Sequence, residues 1–193
     1  MLEWIAVAFV LVNVYLATRQ NMWSWPAGVV GVSLYLYVFA KAKLYSDAGL
    51  QVFFLAMQFY GWYHWARGGV AHARSLSAVT RLSPREWLAT AAAVVAWTAG
   101  VGTIMHRYTD AAAPYPDAFT TILSIIAQFQ MTRKILENWT LWIIADVVYV
   151  GVYSYKGLYP TVVLYVIFLV LCVLGYRDWA ASGSTTTAGA QPA

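Results

Sequence analysis

The segment Asn138–Tyr155 carries Trp139, Trp142, Asp146, Tyr149 and Tyr153 at successive spacings of 3, 4, 3 and 4 residues. That spacing puts all five on one face of a helix. Aromatic faces attract an organic cation, each contact contributing about 0.5–2 kcal/mol. Asp146 lies near the middle of an apolar run, and no Lys or Arg lies at matching depth in any other such run. A bare carboxylate in apolar surroundings is costly, so it needs a substrate cation, a proton, or hydrogen bonds that satisfy it. A structural acid bonded within the core fits the last of these. A second face carries Gln51, Gln58, Trp62 and Trp65, spaced 7, 4 and 3. Two amides at mid-depth can read the edge of a polar ring or sugar hydroxyls; interhelical hydrogen bonding would use them equally well. Gln128, beside Ser124 and Thr121, and Asn13 complete the polar set. For those two, interhelical bonding is the plainer reading. Aromatic faces, amides and one carboxylate together suit a flat heteroaromatic cation bearing hydroxyls. His64, His72 and His106 lack metal-ligand spacing, no nucleophile elbow is present, and Cys172 is the only cysteine. The residues therefore call for no metal and no cofactor, and an enzyme is the weakest reading.

The elements that position these residues follow from composition. Of 193 residues, 61% are hydrophobic and only 10% charged, against about a quarter charged in average soluble domains. This describes an integral membrane protein with the lipid bilayer as its partner. It excludes a soluble globular enzyme, a disordered chain and a disulfide scaffold. The net charge of +4 comes from basic residues scattered through short loops, which anchor loops on the cytoplasmic side rather than line a nucleic-acid groove.

A helix needs about 20 apolar residues to cross the hydrocarbon core. Seven stretches qualify: Leu2–Thr18, Met22–Ala40, Tyr45–Ala66, Glu86–His106, Pro114–Thr132, Asn138–Tyr155 and Leu158–Trp179. The expectation is an all-α membrane protein of seven transmembrane helices in one domain over residues 1–180. Eight Lys and Arg (Arg19, Arg67, Arg74, Arg81, Arg85, Arg133, Lys134, Arg177) fall on one side, and four (Lys41, Lys43, Arg107, Lys156) on the other. The larger set predicts the cytoplasmic side, which leaves the N-terminus outside and the C-terminus inside. The longest connection, Arg67–Arg85, opens with Gly68-Gly69 and ends in Ser83-Pro84-Arg85-Glu86, the pattern of a capping box with Pro at the first helical position. Residues 181–193 are Ser, Thr, Ala, Gly, Gln and Pro and read as a disordered tail.

Shifting the chain against itself by 114 residues matches Thr18–Ala66 to Thr132–Ala180 without gaps, 14 of the 49 positions being identical. Trp25 meets Trp139, Tyr35 meets Tyr149, Gly61 meets Gly175 and Trp65 meets Trp179. Helices one to three thus repeat as five to seven, with repeat units of about 3–66 and 114–180 and a linker helix at 86–106. An odd linker gives both triplets one orientation, a 3+1+3 parallel repeat of the kind seen in SWEET-type sugar transporters. Two parallel bundles can rock about a site between them, so the duplication itself points to transport.

The run Leu50-Gln51-Val52-Phe53-Phe54 followed by Tyr60-Gly61-Trp62-Tyr63-His64-Trp65 resembles the third-helix signature of the PnuC family of bacterial vitamin transporters. Met131-Thr132-Arg133-Lys134, Glu137-Asn138-Trp139 and Leu141-Trp142-Ile143-Ile144 resemble the family's entry to helix six, and Trp25-Pro26 and Lys43-Leu44-Tyr45 also fit. The similarity spans Glu3 to about Trp179. It implies facilitated diffusion of nicotinamide riboside across the inner membrane, trapping by cytoplasmic phosphorylation, and often a homotrimer. It also implies a small-molecule vitamin as partner, with Trp139, Trp142 and Trp62 on the ring and Gln51 and Gln58 on polar edges. Asp146 departs from the pattern, an amide being expected there in nicotinamide riboside carriers, and Gln58 stands where some have Asn. Relatives that carry thiamine, or more rarely riboflavin, keep thiamine open as the substrate, and a proton-coupled carrier using Asp146 is the other alternative.

Overall fold

The computed structural model describes residues 2–41, 45–67, 79–109, 113–155, 157 and 159–188. Lys43, Arg74, Lys156, Gly68-Gly69 and residues 189–193 of the expected tail lie outside the described residues. Among the described residues seven helices form: α1 (Leu2–Thr18), α2 (Ser24–Lys41), α3 (Tyr45–Arg67), α4 (Pro84–Tyr108), α5 (Pro114–Thr132), α6 (Asn138–Tyr155) and α7 (Tyr159–Ala188). Among the described residues the only β pairing is an isolated bridge between Thr80 and Ile135.

Local chemistry sets the helix ends. The expected capping box is present: Ser83 Oγ accepts from the Glu86 amide at 3.3 Å, while Glu86 Oε2 accepts from the Ser83 amide at 2.7 Å. Pro84 follows at the first helical position, where its missing N–H costs nothing. α7 runs to Ala188, past the Trp179 end that its hydropathy suggests. A helix already formed adds one backbone bond per added residue, and that carries it into the Ala- and Ser-containing stretch read as a tail.

α1 and α5 end in the same turn. The Gln20 amide donates to Ala17 O at 3.0 Å and the Asn21 amide to Leu16 O at 2.9 Å; the Lys134 amide donates to Met131 O at 3.1 Å and the Ile135 amide to Gln130 O at 3.0 Å. These bond pairs are Schellman caps, and their left-handed residues are Gln20 (φ 51°) and Lys134 (φ 54°) rather than the usual glycine. Thr18 and Thr132 both turn their hydroxyls back to a carbonyl three residues earlier, each at 2.7 Å. Burial holds the Lys134 ammonium below the ordinary lysine range.

α1, α2 and α3 pack in sequence, as do α5, α6 and α7, and α4 lies against α5. The two groups meet through α1 with α7 and α3 with α5. The main core holds Ala17, Trp25, Trp65, Met131, Leu136, Trp139, Cys172 and Trp179. A second one gathers Val94, Ile122, Leu123, Ala127, Leu141 and Ala145. Trp142 packs against both. Outward faces are apolar: Leu88 and Val95 of α4 are 72% and 68% exposed, and Val163 and Val170 of α7 are 60% and 54%. Among the described residues, α4 and the stretch Thr161–Ser182 of α7 are long and apolar enough to cross a membrane by length and composition.

Candidate substrate site

α6 turns its sequence-predicted face inward: Trp139 and Asp146 are buried and Trp142, Tyr149 and Tyr153 partly so, while Ile144 and Val147 face out. Asp146 is met by α7, where Cys172 Sγ donates to Asp146 Oδ2 at 3.5 Å. One turn further along, Tyr149 and Tyr153 stack with Tyr165 of α7. The centroids are 4.5 Å (Tyr149–Tyr165), 5.4 Å (Tyr153–Tyr165) and 5.9 Å (Tyr149–Tyr153), with planes 29°, 16° and 20° apart. The carboxylate therefore sits beside a stack of near-parallel phenol rings, a setting with both charge and π-faces for a cation.

On α3, Gln58 is 4% exposed and its amide fills the space over Gly28 of α2, where an added Cβ would come within 2.5 Å of Gln58 Cδ. Gly28 thus makes room for the amide. Gln51 is partly buried, and Trp62 stands 39% exposed, unlike the buried members of the set. Gln128 of α5 is buried. Asn13 is occupied, its Nδ2 donating to Ser24 O at 2.6 Å and tying α1 to the start of α2. Trp139 is fully buried, edge-on to Trp179 at 5.4 Å and 89°, against Gly175. Its ring is taken up by packing, whereas Trp142 is partly buried.

Several buried polar atoms of this set have no partner: Gln58 Oε1, Gln128 Nε2, Trp142 Nε1 and Trp139 Nε1. A buried polar group left unbonded costs about 1–3 kcal/mol. Among the described residues these four atoms are three unpartnered donors and one unpartnered acceptor. Gln130, buried with Oε1 unpartnered, belongs to this class and was missed by the sequence reading because it lies off the apolar periodicity. Tyr165 was also missed, although the 114-residue shift from Gln51 marks it. Among the described residues no group of three or more His, Cys, Asp or Glu could hold a metal ion.

The family model described as nicotinamide mononucleotide transporter matches residues 1–181. The chain is 30% identical over 195 residues to the nicotinamide riboside transporter PnuC of Escherichia coli (strain K12), covering 89% of this chain and 82% of that protein. It is 30% identical over 170 residues to the riboflavin/roseoflavin transporter RibM of Streptomyces davaonensis, covering 88% and 79%. The crystal structure of the vitamin B3 transporter PnuC superposes with a TM-score of 0.75 at 25% identity, covering 96% of this chain and 83% of that one. With its seven helices on that fold and residues 1–181 inside the family model, the chain belongs to the PnuC family of transporters.

Proposed function

We propose that the chain carries nicotinamide riboside into the cytoplasm by facilitated diffusion, as a multi-pass protein of the bacterial cytoplasmic membrane. The observations that carry this reading are the unpartnered buried atoms on Gln58, Gln128 and Trp142, together with the carboxylate on α6 and the tyrosine stack between α6 and α7. A flat ring cation bearing hydroxyls and a carboxamide supplies acceptors, a donor and a charge in one ligand. Gln51, Gln58, Gln128 and Trp142 bind its polar edges and ring, Asp146 and Tyr149 face its charge, and Trp62, Trp139 and Asn13 complete or support the lining. Phosphorylation of the substrate adds about −1.5 to −2 charges, which Asp146 repels; a cytoplasmic kinase then traps the product.

The exposed apolar faces of α4 and α7 support a membrane setting. The matched Schellman turns, the Trp25–Trp65 and Trp139–Trp179 edge contacts and the paired α1–α7 and α3–α5 interfaces all obey the 114-residue shift. They support the 3+1+3 parallel repeat of the SWEET kind. The Lys and Arg count supports an outside N-terminus and a cytoplasmic C-terminus. The assembly is a homotrimer with one path per protomer.

The carboxylate at Asp146 favours a second reading, thiamine, whose ring cation pairs with an acid, and the riboflavin/roseoflavin relative supports variation of the vitamin within this fold. Calorimetric titration of the purified protein with each vitamin decides between them. Micromolar binding of nicotinamide riboside and weaker binding of thiamine is expected; the reverse order moves the assignment to thiamine, and binding of neither refutes the site. Proteoliposomes should equilibrate the vitamin with the outside, and accumulation driven by a pH gradient would mean proton coupling through Asp146.

A further inference from the structure

The two three-helix groups are joined at one end of the molecule by two indole-to-carbonyl bonds, whose acceptors lie one residue out of step in the 114-residue register. Trp179 Nε1 of α7 donates to Ala17 O at 3.0 Å, and Trp65 Nε1 of α3 donates to Thr132 O at 3.2 Å. Both acceptors are carbonyls in the last turn of α1 and α5, and Ala17 O also accepts from the Gln20 amide of the cap. The four indoles form a row through the core: Trp25–Trp65 at 5.1 Å, Trp65–Trp179 at 6.0 Å and Trp179–Trp139 at 5.4 Å. All four are 7% exposed or less. Gly61 and Gly175 let the outer two seat, since a Cβ at either would strike the Trp25 or Trp139 ring. At the rim, Gln20 Nε2 donates to Ser182 Oγ at 2.8 Å, Arg133 Nη2 to the Tyr60 hydroxyl at 3.5 Å, and Arg19 lies 4.0 Å from Asp178. The row thus spans both groups, and its middle contact, Trp65 to Trp179, crosses the plane where they meet.

We propose that this tryptophan row is the cytoplasmic gate of the substrate path, held shut here by the two indole-to-carbonyl bonds, and that passage requires both bonds to break. Its shape explains why the bonds come as a pair. A rocking motion of one bundle on the other separates α1 from α7 and α3 from α5 together, so one bond at each seam is needed to hold the closed state. The inference rests on the reading that substrate passes between the bundles, but its test needs no substrate.

Cys172 is the only cysteine in the sequence, is buried, and packs in the same core as the four indoles. Its reaction rate with a membrane-impermeant maleimide therefore reports opening next to the gate. The test compares the full chain with Trp65→Phe, Trp179→Phe and the double variant, which keep a six-membered aromatic ring and remove the N–H together with the five-membered ring that bears it, in whole cells and in inside-out vesicles. Loss of one neutral hydrogen bond shifts an equilibrium by roughly 2- to 12-fold. Labelling should accelerate by that factor in each single variant and further in the double one, and only from the cytoplasmic face. Unchanged labelling overturns the proposal, and so does acceleration from both faces, which would mean general loosening. If a Phe variant fails to fold, Gln20→Ala at the rim replaces it; a smaller acceleration from the same face is expected, and none overturns the proposal. Absence of vitamin uptake by the unaltered chain, with the labelling pattern intact, would overturn the transport reading and leave the gate standing.

Discussion

Replacing Gln58 by Met separates a substrate-reading amide from an amide that bonds helices together. Gln58 is 4% exposed, its Oε1 is buried without a partner, and the amide sits over Gly28. Met keeps the unbranched shape and adapts to the same slot, while the unpaired acceptor is removed. A buried unsatisfied polar group costs about 1–3 kcal/mol, so the empty protein should gain about 1–2 kcal/mol. For a chain of this length that is a rise of roughly 2–8 °C in melting temperature. Binding should move the other way. A substrate donor that meets Oε1 loses one hydrogen bond of about 0.5–1.5 kcal/mol, or roughly 2- to 12-fold in Kd. Thermal unfolding of the detergent-purified protein and calorimetric titration with nicotinamide riboside measure the two quantities on one sample. Opposite signs, a higher melting temperature with weaker binding, are expected. A lower melting temperature with unchanged affinity would refute the reasoning, because it would mean that Gln58 bonds its neighbours and leaves the substrate alone.

Three further perturbations test other parts of the structure. Asp146→Asn keeps the shape beside Cys172 and removes the charge; a ring cation about 4–5 Å from a carboxylate at an effective dielectric of about 20 gains about 3–4 kcal/mol. After the desolvation that opposes it, affinity for the cation should fall roughly 10- to 100-fold across the pH range tested by titration calorimetry, whereas loss of pH dependence alone would assign Asp146 to proton transfer. Gly175→Ala puts a Cβ 2.7 Å from Trp139 Cε2, between a helix backbone and a fully buried indole that cannot move aside. Overpacking of this kind costs about 1–3 kcal/mol, read as a lower melting temperature, and an unchanged one would mean that the Trp139 seat is loose. Ser83→Ala removes the side-chain cap of α4 at a cost of about 1 kcal/mol; amide exchange at Glu86 and Trp87 should quicken, and unaltered protection there would show that Pro84 alone fixes the start.

The seven helices were legible because each is written as a long apolar run, and the start of α4 because Ser83 and Glu86 stand at the spacing that a capping box requires. The stop of α7 was not, since hydropathy marks where a lipid-facing stretch ends and says nothing of how far the backbone bonds continue. Periodicity correctly turned Trp139, Trp142, Asp146 and Tyr149 to one face of α6. It could not separate Trp139 from Trp142, because what distinguishes them is Gly175 on another helix, which seats the fully buried Trp139 ring, while Trp142 stays partly buried. Asn13 was read as a helix tie and is one. Tyr165 and Cys172 enter the site only through packing of α7 on α6, a pairing that a single helical face does not encode.

On the proposed repeat, the residues that build the scaffold recur and most of those that could meet substrate do not, Tyr149 with its match at Tyr35 being the exception. Trp25 and Trp139, Gly61 and Gly175, Trp65 and Trp179, and the left-handed Gln20 and Lys134 occupy matching positions and make matching contacts. One turn inward the match is lost. Gly28 and Gln58 in the first half face Trp142 and Cys172 in the second, so the bulky partner moves from α3 to α6, and Val32 is matched by Asp146. In the first half the small residue makes space for an amide; in the second the small Cys172 leaves room to reach the carboxylate. A gate that acts on both seams at once has the same task in each half, which favours identical parts. A substrate with a charged ring at one end and hydroxyls at the other has no two-fold axis, and its lining must differ between the halves that share it. The boundary between what repeats and what does not therefore supports the proposed site between the tryptophan row and the tyrosine stack.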